Sequence, residues 1–210
     1  MRQEYTKYLE DYILHLGELF LPNEDYSIEV VHDKDLEEFK ETKVKGVHTN
    51  GDLDTNAMGI TLFTATKSAY EKFGNKVGCV YIFLDHIINL KDTLYQDVPN
   101  CNLLTRIRLS TIHECRHAQQ HAYIAEKNDY DISKTIEMIK KDTIISSYDD
   151  QILELDAQVY AYGKTFNEFA DVDTWKDMQY ICDLDLDIVY KRLMRRIENR
   201  MINNFLELLP

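Results

Sequence analysis

An α+β fold is predicted, a small N-terminal antiparallel or mixed sheet followed by a helical half, and three features of the chain lead to it. The two runs richest in β-branched and aromatic residues, 59–65 and 77–84, both fall before residue 90. Six of the seven glycines lie at or before residue 78. Beyond Asn102 the apolar residues recur at helical spacing almost to the end of the 210-residue chain. Strand and helix signals are therefore segregated along the chain, unlike the alternation of a doubly wound α/β protein. With no linker, repeat or low-complexity tract, residues 1–210 are expected to form one domain, sheet-containing over about 20–90 and helical over about 103–210.

Element by element, residues 2–20 set Tyr5, Tyr8, Leu9, Tyr12, Ile13, Leu16 and Phe20 on one helical stripe, closed by Pro22. Residues 26–31 (Tyr-Ser-Ile-Glu-Val-Val) predict a short strand, and 33–40 a helical turn capped by Asp33. Residues 45–58 form a polar loop. Within it, 52–56 looks like the start of a calcium loop, but Ala57 stands where a glycine is needed and Phe63 where a bidentate Glu belongs. Residues 85–94 predict a short helix, 95–102 a loop containing Pro99, and four helices follow at roughly 103–126, 131–146, 149–169 and 174–209. The first is expected to be buried, because apolar residues surround its early turns.

Composition narrows the function. At 44% hydrophobic and 29% charged the chain is ordinary for a globular protein, while a formal net charge of −13 weighs against nucleic-acid binding. No apolar run approaches the ~20 residues of a membrane span, and the N-terminus lacks a signal peptide's apolar core, so no membrane association is expected. Cys79, Cys101, Cys115 and Cys182 form no C-x-x-C pair, which fits structural thiols in a reducing cytoplasm.

The chemistry concentrates in His113-Glu114-Cys115-Arg116-His117. At 3.6 residues per turn, His113 and His117 stack on one helix face and can reach one metal ion, while Glu114 lies about 100° round the helix, free to handle a water proton. Chance spacing is the competing explanation, so a third ligand is needed. His121 lies about 6 Å beyond His117 along the axis, with no glycine to turn the chain back. Glu154 is the better candidate, because Ala157 and Ala161 share its face and permit close helix approach. Asp156, about 200° from Glu154, is expected at the surface or in a cap. Asp149 and Asp150 suit the N-terminus of that helix.

His113-Glu114-x-x-His117 with Glu154-x-x-Ala157 resembles the gluzincin branch of zinc metallopeptidases, the small single-domain intracellular kind of bacteria and phages. The resemblance covers about residues 77–165 and includes the strand-loop-helix order before the motif. It implies Zn²⁺ held by His113, His117 and Glu154, Glu114 as general base, and a protein or peptide substrate hydrolysed by metal-activated water. Three residues depart from the family pattern: Arg116 inside the motif, Gln119 where an apolar residue is usual, and Gln158 where an Asp commonly bonds a ligand histidine. Tyr148, Tyr160, Tyr162, His121 and Arg116 are the candidate oxyanion donors. The 80–84 run is either a cleft-edge strand that pairs with substrate or a buried central strand.

Two other function classes remain open. Arg116 and Gln158 would suit a weak or inactive zincin-like domain that acts as a metal-binding regulator or interaction module. Alternatively, the stripe Ile188, Val189, Leu193, Met194, Ile197, Met201, Ile202, Phe205 and Leu209, beside Lys191, Arg192, Arg195, Arg196 and Arg200, would suit an oligomerisation helix. Packing of that stripe on the domain, with the arginines paired to Asp183, Asp185 and Asp187, is the simpler reading.

Overall fold

A fully buried middle strand organises the molecule. The computed structural model describes residues 2–44, 57–63, 77–89, 103–131, 133–135, 137–138 and 152–168. Among these, strands β1 (Tyr26–Val31), β2 (Gly59–Phe63) and β3 (Gly78–Phe83) form a sheet of order β1-β3-β2. β1 runs parallel to β3 with Tyr26 opposite Gly78, and β2 runs antiparallel with Gly59 opposite Ile82. The sheet is thus mixed and the remainder mostly helical, an α+β architecture.

Every residue of β3 is buried because both faces of the sheet are covered. On one face Val80 and Ile82 meet Leu9 and Ile13 of helix α1 (Arg2–Phe20), together with Ile107 and Ala118 of the long motif helix. On the other, Cys79, Tyr81 and Phe83 pack against Phe39 and Val44. Phe39 closes the short helix α2 (Leu36–Phe39), and its ring meets those of Tyr81 and Phe83 edge-on at 4.6 and 5.5 Å. Burial on two sides explains why this run does not alternate in polarity. β3 is the central strand, not a cleft edge, and its backbone is already paired on both sides.

α1 buries Leu9, Ile13, Leu16 and Phe20, as its stripe predicts, but Tyr5 and Tyr8 are exposed by 54% and 55%. The buried face is narrower than the aromatic pattern suggests. Gly17 permits close docking of this helix on β1, since a Cβ there would collide with Ile28. Asp33 is not a cap: it lies inside the 3-10 turn Asp33–Asp35, where its amide donates to Asp85 Oδ2. Helix α3 (Leu84–Asn89) starts directly from β3.

Helix α4 (Leu103–Lys127) carries the motif, and Ile107, Leu109 and Ile112 are buried, as an enclosed element requires. It ends in a turn where Asp129 and Tyr130 take positive φ (52° and 58°) and the Tyr130 amide donates to the Ala125 carbonyl. Helix α5 (Ile152–Glu168) lies against α4 and buries Leu153, Ala157 and Ala161. Of the helix expected over 131–146, residues 133–135 and 137–138 are helical. The calcium-like stretch 52–56, the Pro99 loop, Asn102, Asp149, Asp150, Cys101, Cys182 and the 174–209 helix with its basic stripe lie outside the described residues. No helix among the described residues is long and apolar enough to cross a membrane.

Candidate metal centre

One turn apart on α4, the rings of His113 and His117 stand nearly perpendicular (88°) with centroids 4.7 Å apart and their Nε2 atoms 3.1 Å apart. From α5, Glu154 sets Oε2 3.3 Å from His113 Nε2 and Oε1 3.3 Å from His117 Nε2. Among the described residues this is the group of His, Cys, Asp and Glu side chains able to hold a metal ion, its ligand atoms lying within 4.8 Å of one another. All three side chains are largely enclosed, at 19%, 13% and 12% exposure. Ala157 and Ala161, at 0% and 2%, supply the close helix approach expected of small residues.

The electrostatics favour a cation here. Burial lowers the basicity of His117, but the Glu154 carboxylate, with help from Glu114, outweighs it and raises the ring to about 9. Burial likewise opposes ionisation of Glu154, yet His117 and His113 hold it well below the usual carboxylate range. Glu154 Oε2 is buried with no hydrogen-bond partner. Two facing imidazole nitrogens and an unsatisfied carboxylate oxygen form a cluster that protons alone satisfy poorly. A divalent cation would engage all three, and two histidines with one glutamate is a donor set suited to zinc.

Around the ligands the structure corrects three expectations. Asp156 is not at the surface: it is 15% exposed and accepts from Arg116 Nε at 2.7 Å and Nη2 at 3.2 Å. Arg116 is therefore no free oxyanion donor. Its guanidinium also donates to Gln119 Oε1 (2.9 Å) and lies over the Tyr160 ring, 4.5 Å from the centroid. The side-chain amide that meets a ligand-candidate histidine is that of Gln120, whose Oε1 is 2.8 Å from His117 Nδ1, and not that of Gln158. Gln119 has a structural use as well, since its Nε2 donates to the Phe20 carbonyl at the end of α1.

Glu114 faces β2. Thr61 Oγ1 lies 2.9 Å from Glu114 Oε2 and 2.8 Å from the Glu114 carbonyl. Gly59 leaves room for that side chain, because a Cβ there would sit 2.7 Å from Glu114 Cγ. His121 takes no part in the triad. Its ring packs against that of Phe63, centroids 4.5 Å apart and tilted by 50°, and burial together with the nearby His117 pushes its pKa down to about 3. The Tyr148 and Tyr162 side chains lie outside the described residues. Cys79 and Cys115 are buried thiols whose pKa values burial raises, that of Cys79 to about 11, consistent with structural roles.

Gln120, Asp156 and Thr61 are the site residues that sequence reasoning missed. The i,i+3 spacing of His117 and Gln120 was a usable signal. Nothing local marks Thr61, whose partner is 53 positions away. No protein-family model, curated protein or solved structure matches this chain.

Proposed function

We propose that this chain is a zinc-dependent peptide hydrolase of the gluzincin type. The observation that supports this reading is the convergence of His113, His117 and Glu154 from two helices, with ligand atoms within 4.8 Å, around a buried Glu154 Oε2 that faces His113 Nε2 at 3.3 Å without a hydrogen bond. Zinc held by these residues would supply Lewis acidity, acidifying water toward neutrality and polarising a substrate carbonyl. Glu114 is the residue assigned to the proton: its carboxylate takes one from the attacking water and hands it to the departing amine. Thr61 orients that carboxylate from β2, its single hydroxyl proton directed to Oε2 or to the Glu114 carbonyl. In this reading the ligands come from α4 and α5, and the proton carrier lies between α4 and β2.

The non-catalytic alternative drew on Arg116 and Gln158. Arg116 is accounted for by its ion pair with Asp156, so it is no argument against turnover. The test is Glu114→Gln. Peptide cleavage should fall by about 10²- to 10⁴-fold, the usual worth of a positioned general base. Elemental analysis should find zinc content unchanged. Undiminished cleavage by that variant would remove Glu114 from its role, and a wild-type protein that holds zinc but cleaves no member of a peptide library would favour the binding module.

A further inference from the structure

Gln120 lies one helical turn past His117, is fully buried, and spends every hydrogen-bonding group it has. Its Nε2 donates to the Leu153 carbonyl (2.9 Å) and to Asp156 Oδ2 (2.8 Å), and its Oε1 faces His117 Nδ1 (2.8 Å). Neither a carbonyl nor a carboxylate can donate, so the amide has one permissible orientation. Its oxygen must point at the ring, and Nδ1 of His117 must carry a proton. The lone pair available to a metal is then on Nε2, the atom 3.3 Å from Glu154 Oε1. The same amide grips the backbone immediately before Glu154 and, through Asp156, the guanidinium of Arg116.

We propose that Gln120 is the positioning residue of the metal centre: it fixes the proton on His117 Nδ1 and sets the spacing between the helix that carries the histidines and the helix that carries Glu154. This inference rests on the metal-site reading above and adds to it the residue that presets the ligand geometry. Because the acceptor is a neutral amide, the carboxylate of Asp156 acts on His117 only at second hand. His117 is accordingly a weaker donor than one bonded directly to a carboxylate.

Two variants of the full-length chain test this. Gln120→Leu keeps the volume and removes all three hydrogen bonds. Gln120→Glu combined with Asp156→Asn moves the negative charge next to the ring and keeps an acceptor on Nδ1; the new amide at 156 can still accept from Arg116 Nη2 and donate to position 120, while the bonds to the Leu153 carbonyl and from Arg116 Nε are given up. Zinc affinity by chelator competition should weaken about 10- to 100-fold in the first variant and recover part of that loss in the second, which keeps an acceptor on the ring. Nitrogen-15 NMR of the metal-free proteins, recorded at a pH above the raised pKa of His117 so that the ring carries a single proton, supplies a readout independent of both metal and activity. A hydrogen-bonded Nδ1–H on His117 should be present in the wild type and lost in Gln120→Leu.

Zinc affinity in a folded Gln120→Leu protein equal to wild type, or an Nδ1–H signal that survives the substitution, would overturn the proposal. So would a double variant as weak as Gln120→Leu. Wild-type protein that takes up no zinc would end the metal reading itself, and the ring-proton signal would still decide whether Gln120 holds His117.

Discussion

His121 shows how one residue can belong to a motif's spacing and not to its site. It continues the series His113, His117, yet it is 8% exposed, its ring packed at a tilt against Phe63, with Nδ1 buried and without a hydrogen bond. Because burial and the neighbouring His117 lower its pKa to about 3 from an ordinary 6.5, the folded chain refuses a proton that the unfolded chain accepts between those values. The stability this group contributes is complete above pH 6.5 and erodes as pH falls, by about 1.4 kcal/mol per pH unit, levelling off only near 3. His121→Phe keeps an aromatic ring against Phe63 and removes the titration. The urea midpoint of the wild type should therefore fall more steeply than that of the variant between pH 6.5 and 4.5, the carboxylates being common to both. Parallel curves would show that His121 titrates normally. His113, Glu114 and His117 are legible in the sequence because a four-residue repeat on one helix is a local property. Thr61 is not, because a threonine in a strand looks the same whether or not a carboxylate lies across the sheet.

Between elements, the contact of α4 with α5 was half legible. Small residues at 157 and 161 pointed to close approach, and both are buried. A helical wheel centred on Glu154 puts Asp156 on the outer side, but Glu154 is not the middle of the buried face. The buried face is centred nearer Ala157, only about 100° from Asp156, and Arg116 is long enough to reach round that flank. Strand positions were legible from β-branched runs, but not their order, since a parallel β1–β3 pair with β2 on the far side leaves no local mark. The Arg116–Asp156 pair, at 13% and 15% exposure, is buried enough that deleting one partner strands a charge. Arg116→Met or Asp156→Leu alone should cost about 3–5 kcal/mol, while the double substitution should cost much less than the sum. Chemical denaturation of all four proteins closes this cycle. Strictly additive losses would mean that the two side chains act independently.

Across the whole fold, among the described residues, the sheet, α1 and α4 share the apolar core around β3, whereas α5 meets α4 with Leu153, two alanines, a polar brace and the His113–His117–Glu154 cluster among its contacts. The His113–His117–Glu154 cluster is therefore part of what holds α5 in place, and without a cation it leaves Glu154 Oε2 buried, beside His113 at 3.3 Å but without a hydrogen bond. A cation that binds only the folded arrangement stabilises it by RT ln(1 + [L]/Kd), about 2.7 kcal/mol at a hundredfold excess over Kd and about 1.4 more for each further decade. Zinc should thus raise Tm in proportion to the logarithm of its free concentration, and a strong chelator should reverse the shift. Glu154→Gln keeps the shape of the side chain but gives up its charge, so its Tm should respond to zinc far less. A wild-type Tm indifferent to zinc across several decades would mean that folding brings these three side chains together for some purpose other than holding an ion.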